Sequence, residues 1–93
     1  MSNPNKKHKK TLIGHLVLIV AIIAPIMTLP QIYNIWVNHL TEGVSVATWS
    51  LYVGSAFIWL MYGVQLKDKP LIISSTLWVI FESAVVIGVL LYQ

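Results

Sequence analysis

Two amides and a hydroxyl accompany a proline in an otherwise apolar segment, which reads Thr28-Leu29-Pro30-Gln31 and continues to Asn34. A proline inside a helix removes one backbone hydrogen bond and clashes with the preceding turn, so the helix bends. Thr28, Gln31 and Asn34 recur every three residues and form a polar stripe along one side. Buried amides cost free energy unless they are paired. The pattern predicts a bent helix beside a polar space, and amides that bond between helices give the same stripe.

A second polar and aromatic set lies in the next apolar segment, where Ser55, Trp59 and Tyr62 follow one another at helical spacing. Residues three and four apart share a helix face, so one wall presents a hydroxyl, an indole and a phenol together. Aromatic faces suit the apolar face of a sugar ring, and hydroxyls bond its polar edge. Packing against another helix, or a place at the membrane boundary, would also explain these side chains.

The last apolar segment contains Ser75 and, seven residues later, Glu82, an acidic residue well inside that segment. Seven residues are two helical turns, so the two side chains share a face. A carboxylate within a membrane is costly and by default indicates a functional site. Glu82 is therefore a candidate proton site. The alternative is a carboxyl near the water boundary that is protonated or bonded to a neighbouring hydroxyl.

Three apolar stretches must position these residues, at about residues 11–37, 44–66 and 70–92. Each is at least as long as the roughly 20 residues that a bilayer span requires. The composition agrees, with 57% hydrophobic residues, 10% charged residues and a mean hydropathy of +0.77. Barrel strands would alternate in polarity, whereas these stretches are continuously apolar. The sequence therefore predicts an all-α membrane protein whose residues 11–93 form one bundle of three transmembrane helices.

Charge and chemistry exclude several classes of function. The formal net charge of +3 comes largely from lysines in a polar leader, residues 1–10, and a basic tail of this kind indicates lipid headgroups rather than nucleic acid. The sequence has no cysteine, no nucleophile beside a base, no phosphate loop and no cluster with metal-ligand spacing. We therefore expect no catalytic site, no metal site and no cofactor.

The ordered motifs resemble the bacterial SemiSWEET sugar transporters of the PQ-loop superfamily, and they cover nearly the whole chain after the leader. The matching segments are Thr28-Leu29-Pro30-Gln31-Ile32, Glu42-Gly43-Val44-Ser45, Trp59-Leu60-Met61-Tyr62-Gly63 and Lys67-Asp68-Lys69-Pro70. The resemblance implies a triple-helix bundle in the order 1-3-2, paired with an identical bundle as a parallel homodimer of six helices. It also implies a multi-pass protein of the bacterial inner membrane.

The resemblance also implies roles for single residues. Pro30 and Gln31 match the hinge motif of the inner gate, and Trp59 matches the pocket tryptophan. The family's pocket asparagine falls on Ser75, which offers one hydroxyl in place of an amide. Ser55 and Asn34 complete the expected binding set, and Asn34 would supply an amide where Ser75 has none.

The outer gate follows the family at two positions and departs from it at a third. Tyr62 and Asp68 match gate residues, whereas the position of the gate's arginine holds Leu66, with Lys67 adjacent. Neighbouring residues point in different directions on a helix, so Lys67 does not replace that arginine directly. The sequence therefore predicts a gate that is weaker or differently built.

The expected function is facilitated diffusion of a mono- or disaccharide by alternating access. Two alternatives remain open at this point. One is a PQ-loop transporter of an amino acid or other small polar solute, coupled to protons through Glu82. The other is a membrane subunit that transports nothing and uses its polar stripe for helix association.

Two indications of membrane orientation disagree. The six lysines lie in the leader and in the second turn, whereas the first turn contains only His39 and Glu42. The positive-inside rule therefore places the N terminus in the cytoplasm. The family resemblance implies an N terminus outside the cell.

Overall fold

The protein was analysed as a computed structural model that describes residues 11–93, and within these residues the chain is helical almost throughout. The helices are α1 (Leu12–Ile26), α2 (Leu29–Trp36), α3 (Val46–Leu66) and α4 (Lys69–Tyr92). The second and third apolar stretches each form one helix, close to the predicted bounds. The first is divided into α1 and α2. The basic leader predicted over residues 1–10 lies outside the described residues.

Short polar side chains fix where three of the helices begin. The Thr11 hydroxyl accepts a hydrogen bond from the Gly14 amide (2.9 Å), and the Ser45 hydroxyl accepts one from the Thr48 amide (3.1 Å). Asp68 Oδ1 accepts a hydrogen bond from the amide of Leu71 at 3.3 Å. Each bond satisfies an amide that the first turn of a helix leaves without a backbone partner. These caps explain why the apolar stretches begin their helices where they do.

The first span is interrupted between its two prolines. Pro25 and Pro30 have no amide proton, so the helical hydrogen bonds to the carbonyls of Ala21 and Ile26 are not formed. The helix ends at Ile26, two residues form a turn, and α2 begins at Leu29 with Pro30 in its first turn. Sequence analysis predicted a single bent helix at Pro30. The structure instead places the interruption in the turn between Pro25 and Pro30.

Helix α4 packs against α1, α2 and α3. Glycines permit two of its closest approaches, since a Cβ on Gly63 of α3 would lie 3.1 Å from Leu71 Cγ. A Cβ on Gly88 of α4 would lie only 2.6 Å from Ile35 Cγ2 of α2. Helices in a membrane associate through such close packing, because lipid removes the hydrophobic drive between them.

The described chain is long and thin, with dimensions of 53 × 22 × 15 Å. Its length exceeds the roughly 40–45 Å of a bilayer with headgroups. Helices α1, α2 and α3 each pack on α4, so α4 lies at the centre of the described chain.

Two segments in the described part of the chain are long and apolar enough to cross a membrane, Leu12–Trp36 and Lys69–Tyr92. In the most apolar 18 residues of each segment, only 17% and 28% respectively are buried within the chain, so most of that apolar surface faces outward. Helix α3 is long enough to cross a membrane, at 21 residues, but it is less apolar than these two segments. The three predicted spans therefore have their helices, and α3 is the most polar of them.

Candidate functional site

A groove with polar lining lies between α3 and α4 and has a volume of about 410 Å³. We call it the α3–α4 groove. From α3 it is lined by a phenol, a hydroxyl and an indole, and from α4 by two hydroxyls, an indole and a carboxyl. The lining residues are Tyr52, Ser55, Ala56, Trp59, Leu71, Ser74, Ser75, Trp78 and Glu82.

Helical spacing explains why these side chains meet. Tyr52, Ser55 and Trp59 are three and four residues apart, so they lie on one face of α3. Ser75, Trp78, and Glu82 follow the same spacing on α4. The short loop between the two helices makes them antiparallel neighbours, and the two polar faces therefore line the same groove. Among the binding residues predicted from sequence, Ser55, Trp59 and Ser75 are brought together here.

Glu82 is largely buried, since it is only 7% exposed although it lines the groove. Its Oε1 atom has no hydrogen-bond partner among the described residues. A buried polar atom without a partner costs free energy, more so when it carries charge. Glu82 as a residue lines the groove, so a donor that reaches its carboxylate from the groove would supply the missing partner.

Ser75 and Trp59 differ sharply in how they are presented. Ser75 is 3% exposed and lies against the inner wall of the groove, while Trp59 is 55% exposed at its rim. The Trp59 ring meets Tyr62 edge to face, with centroids 6.3 Å apart and planes at 69°. The adjacent Thr76 hydroxyl is already engaged, since it donates to the Ile72 carbonyl at 2.7 Å. Trp59 therefore offers an exposed aromatic surface, whereas the Ser75 side chain is almost fully buried.

The remaining predicted site residues lie outside the groove lining. Asn34 is exposed on α2, where its Oδ1 accepts a hydrogen bond from Asn38 Nδ2 at 3.0 Å. Pro30 and Gln31 belong to the first turns of α2, next to the interruption of the first span. Tyr62 is not part of the groove lining, but its ring meets that of Trp59.

Asp68 has a defined structural role, because its carboxylate caps the N terminus of α4. It also lies at one end of a second groove, between α1 and α4, with a volume of about 490 Å³. The other lining residues of that groove are almost entirely apolar, namely Ile13, Leu16, Val17, Val20, Ala21, Pro70, Leu71 and Ser74. Its lining suits apolar chains better than a polar solute.

Sequence reasoning did not assign Tyr52, Ser74 or Trp78 to the site. Tyr52 precedes Ser55 by three residues, and Trp78 precedes Glu82 by four. The spacing that grouped Ser55 with Trp59 would have included both aromatic residues. They add a phenol and a second indole to the groove, which makes its wall more aromatic than predicted.

Helix α2 is fastened to the other end of α4. Trp36 Nε1 donates a hydrogen bond to the Ala84 carbonyl at 3.0 Å, and Ile35 is fully buried against Val85 and Val89. The Trp36 ring also meets Tyr92 edge to face, at 5.7 Å between centroids. These contacts hold α2 on α4 independently of the packing of α1.

Apolar outer surfaces and a polar groove define a helical membrane protein with a candidate site for a small solute. The model of the family described as "Sugar efflux transporter for intercellular exchange" matches residues 11–93. The chain is 32% identical over 77 residues to the protein "Sugar transporter SemiSWEET" of Vibrio sp. (strain N418), with 81% of this chain and 79% of that protein covered. The chain therefore belongs to this family, as its motifs predicted. The family is one of transporters rather than enzymes. No solved structure matches the chain significantly.

Proposed function

We propose that the protein moves a small sugar across the membrane by facilitated diffusion with alternating access. The observation that carries this proposal is the α3–α4 groove, where hydroxyls of Ser55 and Ser75 lie with the aromatic face of Trp59. Hydroxyls pair with sugar hydroxyls, and an indole covers the apolar face of a pyranose ring. Membership of a sugar transporter family and the name of the Vibrio relative support the same cargo.

The active form that we propose is a parallel homodimer of six helices. The groove of one chain is open and leaves Trp59 more than half exposed. A second copy related by a two-fold axis along the membrane normal would place two such grooves face to face around one path. Within each chain we propose the helix order 1-3-2, which is supported by the packing of α4 against each of the other helices.

The hinge of the inner gate is proposed at Pro30 and Gln31, together with the turn before them. Helix α2 is anchored on α4 by Ile35 and Trp36, while α1 packs separately on α4. The linking turn lacks the two helical hydrogen bonds that Pro25 and Pro30 remove. A change of angle there would therefore break few bonds. Tyr62 and Asp68 are proposed for the outer gate. Asn34 is proposed as a further binding residue, although it lies outside the α3–α4 groove.

A second candidate function has one specific observation in its favour, the partnerless Oε1 of Glu82. A carboxyl that alternates between two aqueous sides can carry a proton with a polar solute, such as an amino acid. Tyr52 is the other titratable side chain of the groove lining. Two further titratable side chains lie outside the lining. Tyr62 lies beside Trp59 on α3, and the exposed His15 lies on α1, where its Nδ1 is hydrogen-bonded to the Thr11 carbonyl. A subunit without transport is the remaining alternative.

The cellular location that we propose is the bacterial inner membrane, with several spans. For the orientation we take the family arrangement, with the N terminus outside, against the positive-inside rule. Lys69 and the first turn of α4 would then lie on the outer side, and the turn that contains Glu42 on the cytoplasmic side.

Uptake of labelled glucose or sucrose into proteoliposomes tests the proposed function. Replacing Trp59 by Ala removes the stacking face, and we expect at least about a tenfold loss of uptake, because aromatic faces supply much of the contact in such sites. Phe57→Ala is the matched control, since Phe57 is an equally exposed aromatic residue on α3 outside the groove.

Equal uptake by the Trp59 and Phe57 variants would contradict the proposed pocket. A panel of sugars, amino acids and other small solutes separates the three functions. Sugar flux alone supports the first, proton-dependent flux of another solute supports the second, and no flux supports the third.

A further inference from the structure

We propose that the α3–α4 groove selects a cargo that carries a protonated amine, such as an amino sugar, and that Glu82 is the residue that recognises it. This inference rests on the proposed transport function and deepens it by naming the cargo's charge. It is carried by the composition of the groove wall and by the unpaired oxygen of Glu82.

The wall has the chemistry of a site for a cation. Its one charged side chain is Glu82, and no lysine, arginine or histidine is among the residues that line the groove in the described chain. Oε1 of this carboxylate lacks a hydrogen-bond partner in residues 11–93, although the side chain is more than nine-tenths buried. A buried carboxylate needs a cation or several donors to offset its lost hydration. An ammonium group in the groove supplies both the charge and the donors.

The neighbouring side chains would complete the coordination of an ammonium group. An ammonium has three donors and no acceptor, and the groove offers the hydroxyl oxygens of Ser55, Ser74 and Ser75 beside the carboxylate. A neutral sugar would use the same hydroxyls but would leave the charge of Glu82 uncompensated. The groove therefore favours the amine over its neutral counterpart.

The aromatic residues add a second attraction for the same charge. Tyr52, Trp59 and Trp78 line the groove on both sides, and the faces of such rings attract ammonium groups. The attraction is largest where water is excluded, and tryptophan is the strongest of the aromatic residues. Aromatic rings alone would stack on any sugar, whereas aromatic rings beside an unpaired carboxylate distinguish a cation.

Binding to the purified wild-type protein in lipid nanodiscs, measured by tryptophan fluorescence, is the direct test. The probes are glucose and glucosamine, at a pH where the amine of glucosamine is protonated. They share a ring and differ at one substituent. We expect wild type to bind glucosamine at least about tenfold more tightly than glucose, since charge-assisted hydrogen bonds exceed neutral ones. Equal binding of the two sugars to wild type overturns the inference, and this result needs no variant.

Variants assign the preference to one carboxylate. Glu82→Gln keeps the volume and removes the charge, and we expect it to lose the preference and bind the two sugars equally. Glu42→Gln removes a carboxylate from an exposed turn outside the groove and should keep the wild-type preference. A preference that persists in Glu82→Gln overturns the inference.

Flux measurements separate this inference from the proposed function. Glucose uptake without any preference for the amine would overturn the inference and leave sugar transport standing. Preference for the amine in binding, with no flux of either sugar, would support the inference and refute transport. A third outcome combines no amine preference with glucose uptake that requires a pH gradient in wild type but not in Glu82→Gln. That outcome would assign a proton to this carboxyl and overturn the inference.

Discussion

A series of glycine-to-alanine substitutions tests the packing that fixes α2 on α4. A methyl group on Gly88 would lie 2.6 Å from Ile35 Cγ2 and 2.8 Å from Trp36 Nε1, closer than real Cβ contacts allow. The β-branched Ile35 side chain has little rotamer freedom to move away, and it is fully buried. Relief of the clash therefore requires α2 to shift, which would also stretch the hydrogen bond from Trp36 to Ala84.

The expected magnitude follows from three contributions. Overpacking costs about 1–3 kcal/mol, the strained Trp36 hydrogen bond about 0.5–1.5 kcal/mol, and alanine returns about 0.5–1 kcal/mol of helix propensity. We expect Gly88→Ala to lower the free energy of unfolding by about 1–3 kcal/mol. Gly63→Ala should cost less free energy of unfolding than Gly88→Ala, since its Cβ would lie 3.2 Å from Ile72 N, a tight contact but not a severe clash.

Gly54→Ala is the matched control, because nothing lies within 4 Å of its Cβ position and it also lies inside a helix. It should be neutral or stabilising by up to about 1 kcal/mol. Denaturant unfolding in detergent micelles, followed by circular dichroism, measures all three variants. If Gly88→Ala is as stable as Gly54→Ala, the close approach of α2 to α4 is refuted, and with it the anchored end of the proposed hinge.

Two further predictions concern the ends of the helices. Asp68→Ala should lower the free energy of unfolding by about 0.5–2 kcal/mol, because it removes the cap of α4. Asp68→Asn should keep the cap and remove the charge. A stable Asp68→Asn variant with wild-type uptake would therefore contradict a charged outer gate. In the proposed orientation, a cysteine introduced at Glu42 should react with an impermeant maleimide only after the cells are permeabilised, and one at Lys69 should react in intact cells. The chain has no other cysteine, and the reverse labelling pattern would establish the positive-inside arrangement.

The sequence was sufficient for the helices whose ends are marked by local chemistry. Ser45 and Asp68 cap α3 and α4 within two residues of the predicted starts. It was insufficient for the first span, because two prolines five residues apart do not reveal whether the chain bends within one helix or is divided by a turn. The structure resolves this by placing a turn between Pro25 and Pro30.

For the candidate site, helical spacing grouped residues that line one groove, but it did not name every residue of that lining. Ser55, Trp59, Ser75 and Glu82 meet in one groove because each pair shares a face of its helix. Spacing within one helix carries no information about which distant residue that face meets. The contact of Trp36 with Ala84, 48 residues away, therefore had no signal in the sequence.

The open α3–α4 groove has a genetic consequence if two copies of the chain enclose the path. Each residue that lines the path would then occur twice, once on each side of the cargo, so a single mutation in the gene would alter both walls together. A sugar has no two-fold symmetry, and such a path would have to accept it in two equivalent poses. Joining two copies in tandem in one reading frame would release that constraint, since Trp59 or Glu82 could then be changed on one side while the other side is kept.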